Sequence, residues 1–484
     1  ANCSAPMGEA MFRGYSEFDA VVVGPGEIAF PRLVRELQKG RQNIRIPGVY
    51  WRGTAEDTAP PDDPGVAPEP AMDDLPLPNY DDYFAHWPEG EPSLMVPFEG
   101  SRGCWWGQKH HCTFCGLNGG TIAFRTKPAA RALEEVEQLH RRYGARAGQL
   151  AATDNIMPVD YPRSFVPRLA ALELDTPVFY EVKANLGRRE LEALCDAGIV
   201  RIQPGIESLS TPVLRLMDKG VTALQNIQLL KWARQYEVDV QWNVLYALPA
   251  ERPEHYEGQV ELWEKLHHLP APLVCGPIRI DRFSPHFERP HDHGIADLRP
   301  HPSYRWLYPD LDPRALEGVA YSFVGRYRSQ GHTHAYAEPL CAAVQRWKER
   351  AASTALVMLD GPGGLAIGAL GPDAAPWFGR LRGDARAAYL ACDRITGEAA
   401  LRRALARQGG RDVSPEQLRC VVAPLLERGL MLEEDGRYLS LAIDLNASTP
   451  RGRSYVLPIE HWPHLRTLMA LADDEEDVTC PLAS

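Results

Sequence analysis

Three of the ten cysteines stand together, Cys104, Cys112 and Cys115, in the stretch Gly103-Cys104-Trp105-Trp106-Gly107-Gln108-Lys109-His110-His111-Cys112-Thr113-Phe114-Cys115-Gly116-Leu117-Asn118. The others, Cys3, Cys195, Cys275, Cys341, Cys392, Cys420 and Cys480, are scattered too thinly for a disulfide scaffold. The bunching therefore points to a metal or a cluster in a reducing compartment, and we expect a cytoplasmic protein. Three thiolates on one loop can hold three irons of a cubane cluster and leave the fourth iron open to an incoming ligand. The glycines permit the tight path that such wrapping needs. The same loop admits a structural zinc ion with His110 or His111 as fourth ligand, although their adjacency to Cys112 makes tetrahedral closure awkward. Spacing alone leaves both chemistries open.

The elements that must position this loop are legible around it. It follows the apolar run Leu94–Phe98 directly, so it sits at the carboxyl end of a strand. Further candidate strands are Gln149–Thr153, Val178–Val182, Val200–Pro204, Val240–Tyr246 and Val274–Ile280. Helical runs lie between them: Arg131–Tyr143 carries Leu133, Val136 and Leu139, and Thr222–Tyr236 carries Leu224, Ile227 and Leu230 at helical spacing. Six such repeats predict an α/β fold, a partial (β/α)6 TIM-like barrel with ligand groups at the carboxyl ends of its strands.

Polar residues cluster at those ends: Asp154 and Asn155 after the second strand, Lys183 after the third, Glu207 and Ser208 after the fourth. Charged groups pointing into a barrel mouth are costly unless paired, which favours a polar ligand there. A salt bridge or a solvated rim is the competing reading for each one singly. Alternation puts Arg279 and Asp281 on one face of the sixth strand and Arg282 on the other, where a structural ion pair competes with a substrate contact. His286, His291, His293, His301, His332 and His334 suggest a second metal only weakly, because nothing places them at a strand end.

Outside 93–290, the chain divides into 1–53, 54–92, 291–350, 351–445 and 446–484. Residues 16–53 read as a strand, a Gly24-Pro25-Gly26 turn and a helix, followed by a short extended piece, a β-turn-α unit of a Rossmann-like domain. Residues 54–92 hold nine prolines and eleven acidic residues with no Lys or Arg, so this segment is an extended linker. Its aromatic end, Tyr80, Tyr83, Phe84 and Trp87, anchors it to a neighbour. Residues 291–350 extend the barrel without assigned elements. From 351 a hairpin (Ala355–Leu359 and Gly364–Leu370) precedes three helices and a β-wing, a winged-helix-like module. Between Leu381 and Leu441 ten Arg face nine acidic residues, a balance unsuited to gripping phosphates. The tail from 446 ends acidic and is expected to be solvated.

The Cys-x7-Cys-x2-Cys loop within CWWGQKHHCTFCGLN resembles that of radical S-adenosylmethionine (SAM) enzymes that mature ribosomally synthesised peptides, the cobalamin-dependent C-methyltransferase type. TDNIMP (Thr153–Pro158), YEVKANL (Tyr180–Leu186), IQPGIESLS (Ile202–Ser210), LMDKG (Leu216–Gly220), WNVLYALPAE (Trp242–Glu251) and IRIDRFSPHF (Ile278–Phe287) extend the likeness over roughly 93–330. The resemblance implies that Cys104, Cys112 and Cys115 bind a [4Fe–4S] cluster whose open iron takes the amino and carboxylate groups of SAM. An electron then cleaves the sulfonium to methionine and a 5′-deoxyadenosyl radical. It also implies that Phe114 meets adenine, and that Asp154, Asn155, Lys183, Glu207 and Ser208 contact SAM. A cobalamin-binding domain normally precedes the barrel in this family, and 1–53 looks like its last part. About 50 residues do not by themselves enclose a corrinoid, since a doubly wound domain needs several strands.

The implied function is modification of a precursor peptide, with C-methylation as the leading outcome. A cobalamin-free reaction such as epimerisation, or a zinc-stabilised binding scaffold without turnover, are the alternatives. The hairpin-then-three-helices order resembles leader-recognition domains, which bind an extended leader as an added strand. The implied partners are thus a precursor peptide with its leader and an external electron donor. Lys plus Arg is 52 against 64 Asp plus Glu, a net charge of −12, which argues against a nucleic-acid partner. No apolar run reaches the roughly 18–20 residues of a spanning helix, so no membrane partner is expected.

Overall fold

Apolar strands separated by amphipathic helices fold here into parallel strands laid down one beside the next. The structure, a computed structural model, describes residues 4–41, 43–53, 63–88, 94–117, 122–328 and 335–473. Asn118, His332, His334, Cys3, Cys480 and the acidic stretch after Asp473 lie outside the described residues.

The chain begins with α1 (Met7–Gly14), β1 (Ala20–Val22), α2 (Gly26–Gln38) and β2 (Val49–Trp51). The strand, glycine turn and helix stand where expected. The extended piece returns antiparallel, pairing Ala20 with Trp51 and Val22 with Val49, so among the described residues this segment is an antiparallel ribbon and not a parallel α/β unit. The unforeseen α1 closes it. Phe12 stacks on Tyr50, and the Arg52 guanidinium donates to the carbonyls of Phe12, Tyr15 and Phe18. The linker runs along the ribbon, with Ala67 N donating to Val23 O at 2.9 Å, and then forms α3 (Asp81–His86). Tyr80 and Phe84 anchor it as expected. Tyr80 OH donates to Pro97 O, and Phe84 stacks on Tyr143 at 4.8 Å, while Tyr83 and Trp87 stack on each other.

Next come β3 (Leu94–Phe98), β4 (Ser101–Arg102), β5 (Arg125–Thr126), α4 (Ala129–Tyr143), β6 (Ala147–Ala152), α5 (Tyr161–Ser164) and α6 (Val166–Ala171). They continue into β7 (Val178–Glu181), α7 (Arg188–Asp196), β8 (Ile199–Gln203), α8 (Thr211–Leu216), α9 (Ala223–Gln235) and β9 (Asp239–Val240). The sheet order is β3-β6-β7-β8-β9, and every neighbouring pair is parallel. Sequential parallel order requires each helix to cross over one face, which is why Val136, Leu139, Leu191, Leu194, Ile227 and Leu230 are buried with the strand residues in one core. A reciprocal capping box starts α9: Gln225 N donates to Thr222 Oγ1, and Thr222 N to Gln225 Oε1.

After a two-residue interruption, β10 (Asn243–Tyr246), α10 (Gln259–Glu264) and β11 (Val274–Pro277) add another parallel pair. The expected strand Val274–Ile280 is broken. Its pairing with β10 ends where Ile278 N donates to Tyr246 O at 2.8 Å, and Ile280–Asp281 instead forms β12. With α11 (Pro285–Glu288), β13 (Ile295–Pro300), α12 (Tyr304–Leu307), α13 (Pro313–Val319) and β14 (Ser322–Tyr327), it builds an antiparallel sheet of order β12-β14-β13. Helix α14 (Ala337–Arg350) then inserts Trp347 against Trp242 and Trp263.

The carboxy-terminal module opens with β15 (Ala355–Gly361), β16 (Gly364–Gly371) and β17 (Ala374–Leu381). The hairpin was expected; β17 was not, because Pro376 and Gly379 spoil its strand signal. There follow α15 (Gly383–Ala391), β18 (Thr396–Gly397), α16 (Glu398–Gly409), α17 (Pro415–Glu427), β19 (Met431–Glu434), β20 (Arg437–Ser440) and β21 (Ile443–Asp444). The sheets are ordered β17-β16-β15-β21 and β18-β20-β19. The segment from 446 is no free tail where described: α18 (Trp462–Asp473) buries Leu468 and Ala472, and Leu468 packs over Gly368 of β16. A polar seam locks the module onto the outer helices. Lys231, only 1% exposed, donates to Asp393 Oδ1 at 2.9 Å and to the Ser440 carbonyl at 2.8 Å. Among the described residues, no helix is long and apolar enough to cross a membrane.

Candidate functional site

The cysteine loop leaves β4 and re-enters the fold at β5, a paired gateway at the carboxyl end of β3. Its path is pinned at many points. Trp105 Nε1 donates to Met157 O at 2.9 Å, Trp106 Nε1 to Asp218 O at 3.2 Å, and Thr113 Oγ1 to Leu216 O at 3.0 Å. Two glycines are required by close approach. Gly103 has φ +81° with the Ala123 carbonyl where a Cβ would stand, and a Cβ on Gly116 would strike the Arg282 carbonyl.

Cys104, Cys112 and Cys115 face one cavity of about 160 Å³ at the strand ends. Gly107 N points at Cys104 Sγ at 3.3 Å. Burial pushes the Cys112 thiol up and the Cys115 thiol up to about 11. Neutral buried thiols gain their anionic form most readily from a metal's charge. Neither histidine completes a zinc tetrahedron. His110 stacks on Trp106 at 4.6 Å, and His111 Nε2 hydrogen-bonds the Cys115 carbonyl at 2.8 Å. Among the described residues, no three His, Cys, Asp or Glu side chains are gathered tightly enough for one ion. A cubane spreads its ligands over separate irons, so wider-set thiols on a shared cavity fit a cluster better.

Phe114, Asn155, Lys183 and Glu207 line the same cavity. Burial and the neighbouring Lys219 bring Lys183 down to about 8, and its Nζ donates to the Lys219 carbonyl at 2.7 Å. Burial pushes the Glu207 carboxyl up, while Lys219, 3.9 Å away, pulls it back. Glu207 holds φ +59°, an unusual backbone state for a residue with a side chain, on a turn that also includes Gly205 at +58°. Trp106, Lys219 and Glu181 are among the lining residues that were not singled out from the sequence. All three lay inside recognised motifs, Glu181 in YEVKANL. Glu181, pushed up to about 7 by burial and by Glu207, shares its strand's alternation with Lys183, which is the signal that could have found it.

Two expected ligand contacts are corrected. Asp154 does not line the cavity. It is fully buried, accepting from Gly100 N at 2.7 Å, Ser101 Oγ at 2.8 Å and Tyr180 OH at 3.2 Å, and burial brings it up to about 6. It braces the turn that launches the cysteine loop. Ser208 is also buried away from the cavity, where its Oγ accepts from Ser210 N. Arg279, largely exposed, pairs with Asp281 at 3.6 Å, while Arg282 is turned inward and donates to the carbonyls of Ala320 and Glu317. His286 and His293 contact each other, with burial taking His286 down to about 3, and His301 bonds Ser303; these do not form a second metal site.

Residues 98–262 match the Radical SAM superfamily. The chain carries a radical SAM domain. An uncharacterized methyltransferase of Pyrococcus horikoshii is 26% identical over 255 residues, covering 51% of this chain and 53% of that protein. The anaerobic magnesium-protoporphyrin IX monomethyl ester cyclase of a Synechocystis species is 21% identical over 235 residues, covering 46% of this chain and 44% of that protein. The chain thus spans about half the length of these curated relatives. Among solved structures, the cobalamin-dependent S-adenosylmethionine radical enzyme OxsB with aqua-cobalamin and S-adenosylmethionine bound aligns with TM-score 0.50 and 15% identity, covering 72% of this chain and 52% of that one. That likeness concerns the fold.

The radical SAM domain begins at the last residue of β3 and contains every cavity-lining residue named above. Such a domain implies a [4Fe–4S] cluster and SAM. The residues present fit both, with three thiols for the cluster and cationic and anionic side chains for a zwitterion.

Proposed function

We propose that the chain is a radical SAM enzyme that C-methylates an unactivated carbon of a ribosomally synthesised precursor peptide. The observation that carries the radical chemistry is the convergence of Cys104, Cys112 and Cys115 with Phe114, Lys183 and Glu207 on one cavity. The cluster, when bound, supplies the electron that cleaves SAM. The chain's own residues do the rest. Lys183 and Lys219 attract the carboxylate of the methionine moiety, Glu207 accepts from its ammonium group or the ribose, and Phe114 packs on adenine. Trp106 holds Lys183 in place. Asp154 keeps the loop's base rigid, so the thiols are pre-aligned before the cluster arrives.

Methylation, as against another radical outcome, draws support from the named methyltransferase relative and the cobalamin-dependent enzyme of like fold. A second cavity of about 460 Å³ lies between the Gly24-Pro25 turn and the cysteine loop, and it shares Asn155 with the first. Arg102 and Arg125, salt-bridged to Glu99 and Glu69, line it. In our reading cobalamin, which supplies the methyl group when bound, occupies this side, with the amino-terminal ribbon forming one wall. For the peptide, β17 is an edge strand of eight residues, paired only with β16 among the described residues, and its exposed side suits an added leader strand. The electron donor is an external reductant, and the protein is cytoplasmic with no nucleic-acid partner.

The test is anaerobic reconstitution with iron and sulfide, followed by SAM, reductant, cobalamin and a co-encoded precursor peptide. We expect 5′-deoxyadenosine and a peptide heavier by one methylene. Deoxyadenosine with deuterium uptake from heavy water and no methylene would replace methylation with epimerisation. A colourless protein that takes up only zinc would leave a binding scaffold.

A further inference from the structure

Cys275 on β11 and Cys341 on α14 meet in the layer between the sixth parallel strand and the helix that covers it. Cys341 Sγ donates to the Cys275 carbonyl at 3.7 Å, which sets the two cysteines side by side. Both cysteines are half-buried and free. Neither lines the cavity described above. Burial pushes the Cys275 thiol up, which keeps that thiol protonated at rest.

We infer that Cys275 and Cys341 form a redox-modification site that closes to a disulfide by exchange with a low-molecular-weight disulfide. One cysteine, as its thiolate, attacks a sulfur of the small disulfide; the S–S bond breaks and one small thiolate leaves. The second cysteine then attacks the protein sulfur of the mixed disulfide and expels the other small thiolate. Two protein thiols are oxidised by two electrons, the small disulfide is reduced to two thiols, and the two protein protons end on the leaving sulfurs. The product ties β11 to α14 across the whole β12–β14 extension, and α14 leads within five residues to β15 of the carboxy-terminal module. Closing so long a loop restricts the unfolded chain, so the oxidised protein unfolds at a higher temperature.

The test uses the reconstituted holoprotein under nitrogen with oxidised glutathione, raised until the exposed Cys420 is glutathionylated. Free thiols are then alkylated and the peptides mapped without reductant. The expected result is a cross-linked Cys275–Cys341 peptide pair and a Tm higher by several degrees, of the order that a stabilisation of a few kcal/mol gives. Both are reversed by reductant and absent in C341S and in C275A. Recovery of Cys275 and Cys341 as separately alkylated peptides, at oxidant levels that modify Cys420, overturns the proposal. So does a disulfide from either one to a different cysteine.

Discussion

The Nζ of Lys183 stands 3.5 Å from the centre of the Trp106 ring, so the second tryptophan of the cysteine loop holds a cation belonging to the third strand. The loop and the carboxyl ends of the parallel strands are thereby coupled through one electrostatic contact between an ammonium group and a π face.

That contact predicts the behaviour of two variants. A desolvated cation–π pair contributes about 2 kcal/mol. Trp106→Leu should therefore weaken SAM binding roughly tenfold or more, and Trp106→Phe by less, with iron content unchanged. Anaerobic equilibrium dialysis measures this. Equal affinity in all three proteins would show that Trp106 does not hold Lys183 for the ligand.

Replacing any one of Cys104, Cys112 or Cys115 by Ala should abolish stable iron and sulfide uptake, whereas Cys420→Ala should leave it at the parent level. A cluster held by three thiols has no spare ligand among the loop's histidines, since His110 and His111 are engaged elsewhere. Iron and acid-labile sulfide analysis after anaerobic reconstitution decides the matter.

Acid stability should report on His268. Burial brings this side chain down to about 3, and its Nε2 bonds the Leu441 carbonyl at 3.1 Å. The unfolded chain takes up this proton near pH 6.5 and the folded protein does not. Stability is therefore intact above pH 6.5 and falls between pH 6.5 and about 3, by roughly 1.4 kcal/mol per pH unit from this group. His268→Gln, which cannot charge, should flatten that slope in denaturant titrations run from pH 7 to pH 5. An unchanged slope would locate the acid sensitivity in other groups.

The seam between helix α9 and the carboxy-terminal module makes a stability prediction. Lys231→Met leaves the Ser440 carbonyl and part of Asp393 without their donor, although Arg188 still pairs with Asp393 at 2.8 Å. The loss should approach the lower end of the about 3–5 kcal/mol seen when one partner of a buried pair is removed. Thermal unfolding of the variant should begin at a lower temperature than in the parent. A midpoint within one degree of the parent would mean that apolar packing alone holds the module in place.

Much of this site was readable in the sequence, and the limits are instructive. The strand–helix alternation was visible because each strand is a short apolar run and each helix shows its own periodicity. The broken sixth strand was not, because the apolar run reaches Ile280 while the pairing with β10 ends at the bond from Ile278 N to Tyr246 O. The helix α18 was hidden behind an acidic terminus. At the site, Asn155, Lys183 and Glu207 reached the cavity but Asp154 and Ser208 did not, although each sits beside a residue that did.

The amino-acid order alone determined which loop bears the thiols, which strand ends flank it, and the two-residue period of every strand. Only the tertiary structure decided the phase of that period. Gly100 and Ser101 from one segment and Tyr180 from another converge to claim Asp154 for the interior, which turns Asn155 toward the ligand. The same holds for Lys183, which meets Trp106 and Lys219 across long stretches of chain. Such pairings depend on which faces pack together, and local spacing carries no record of that.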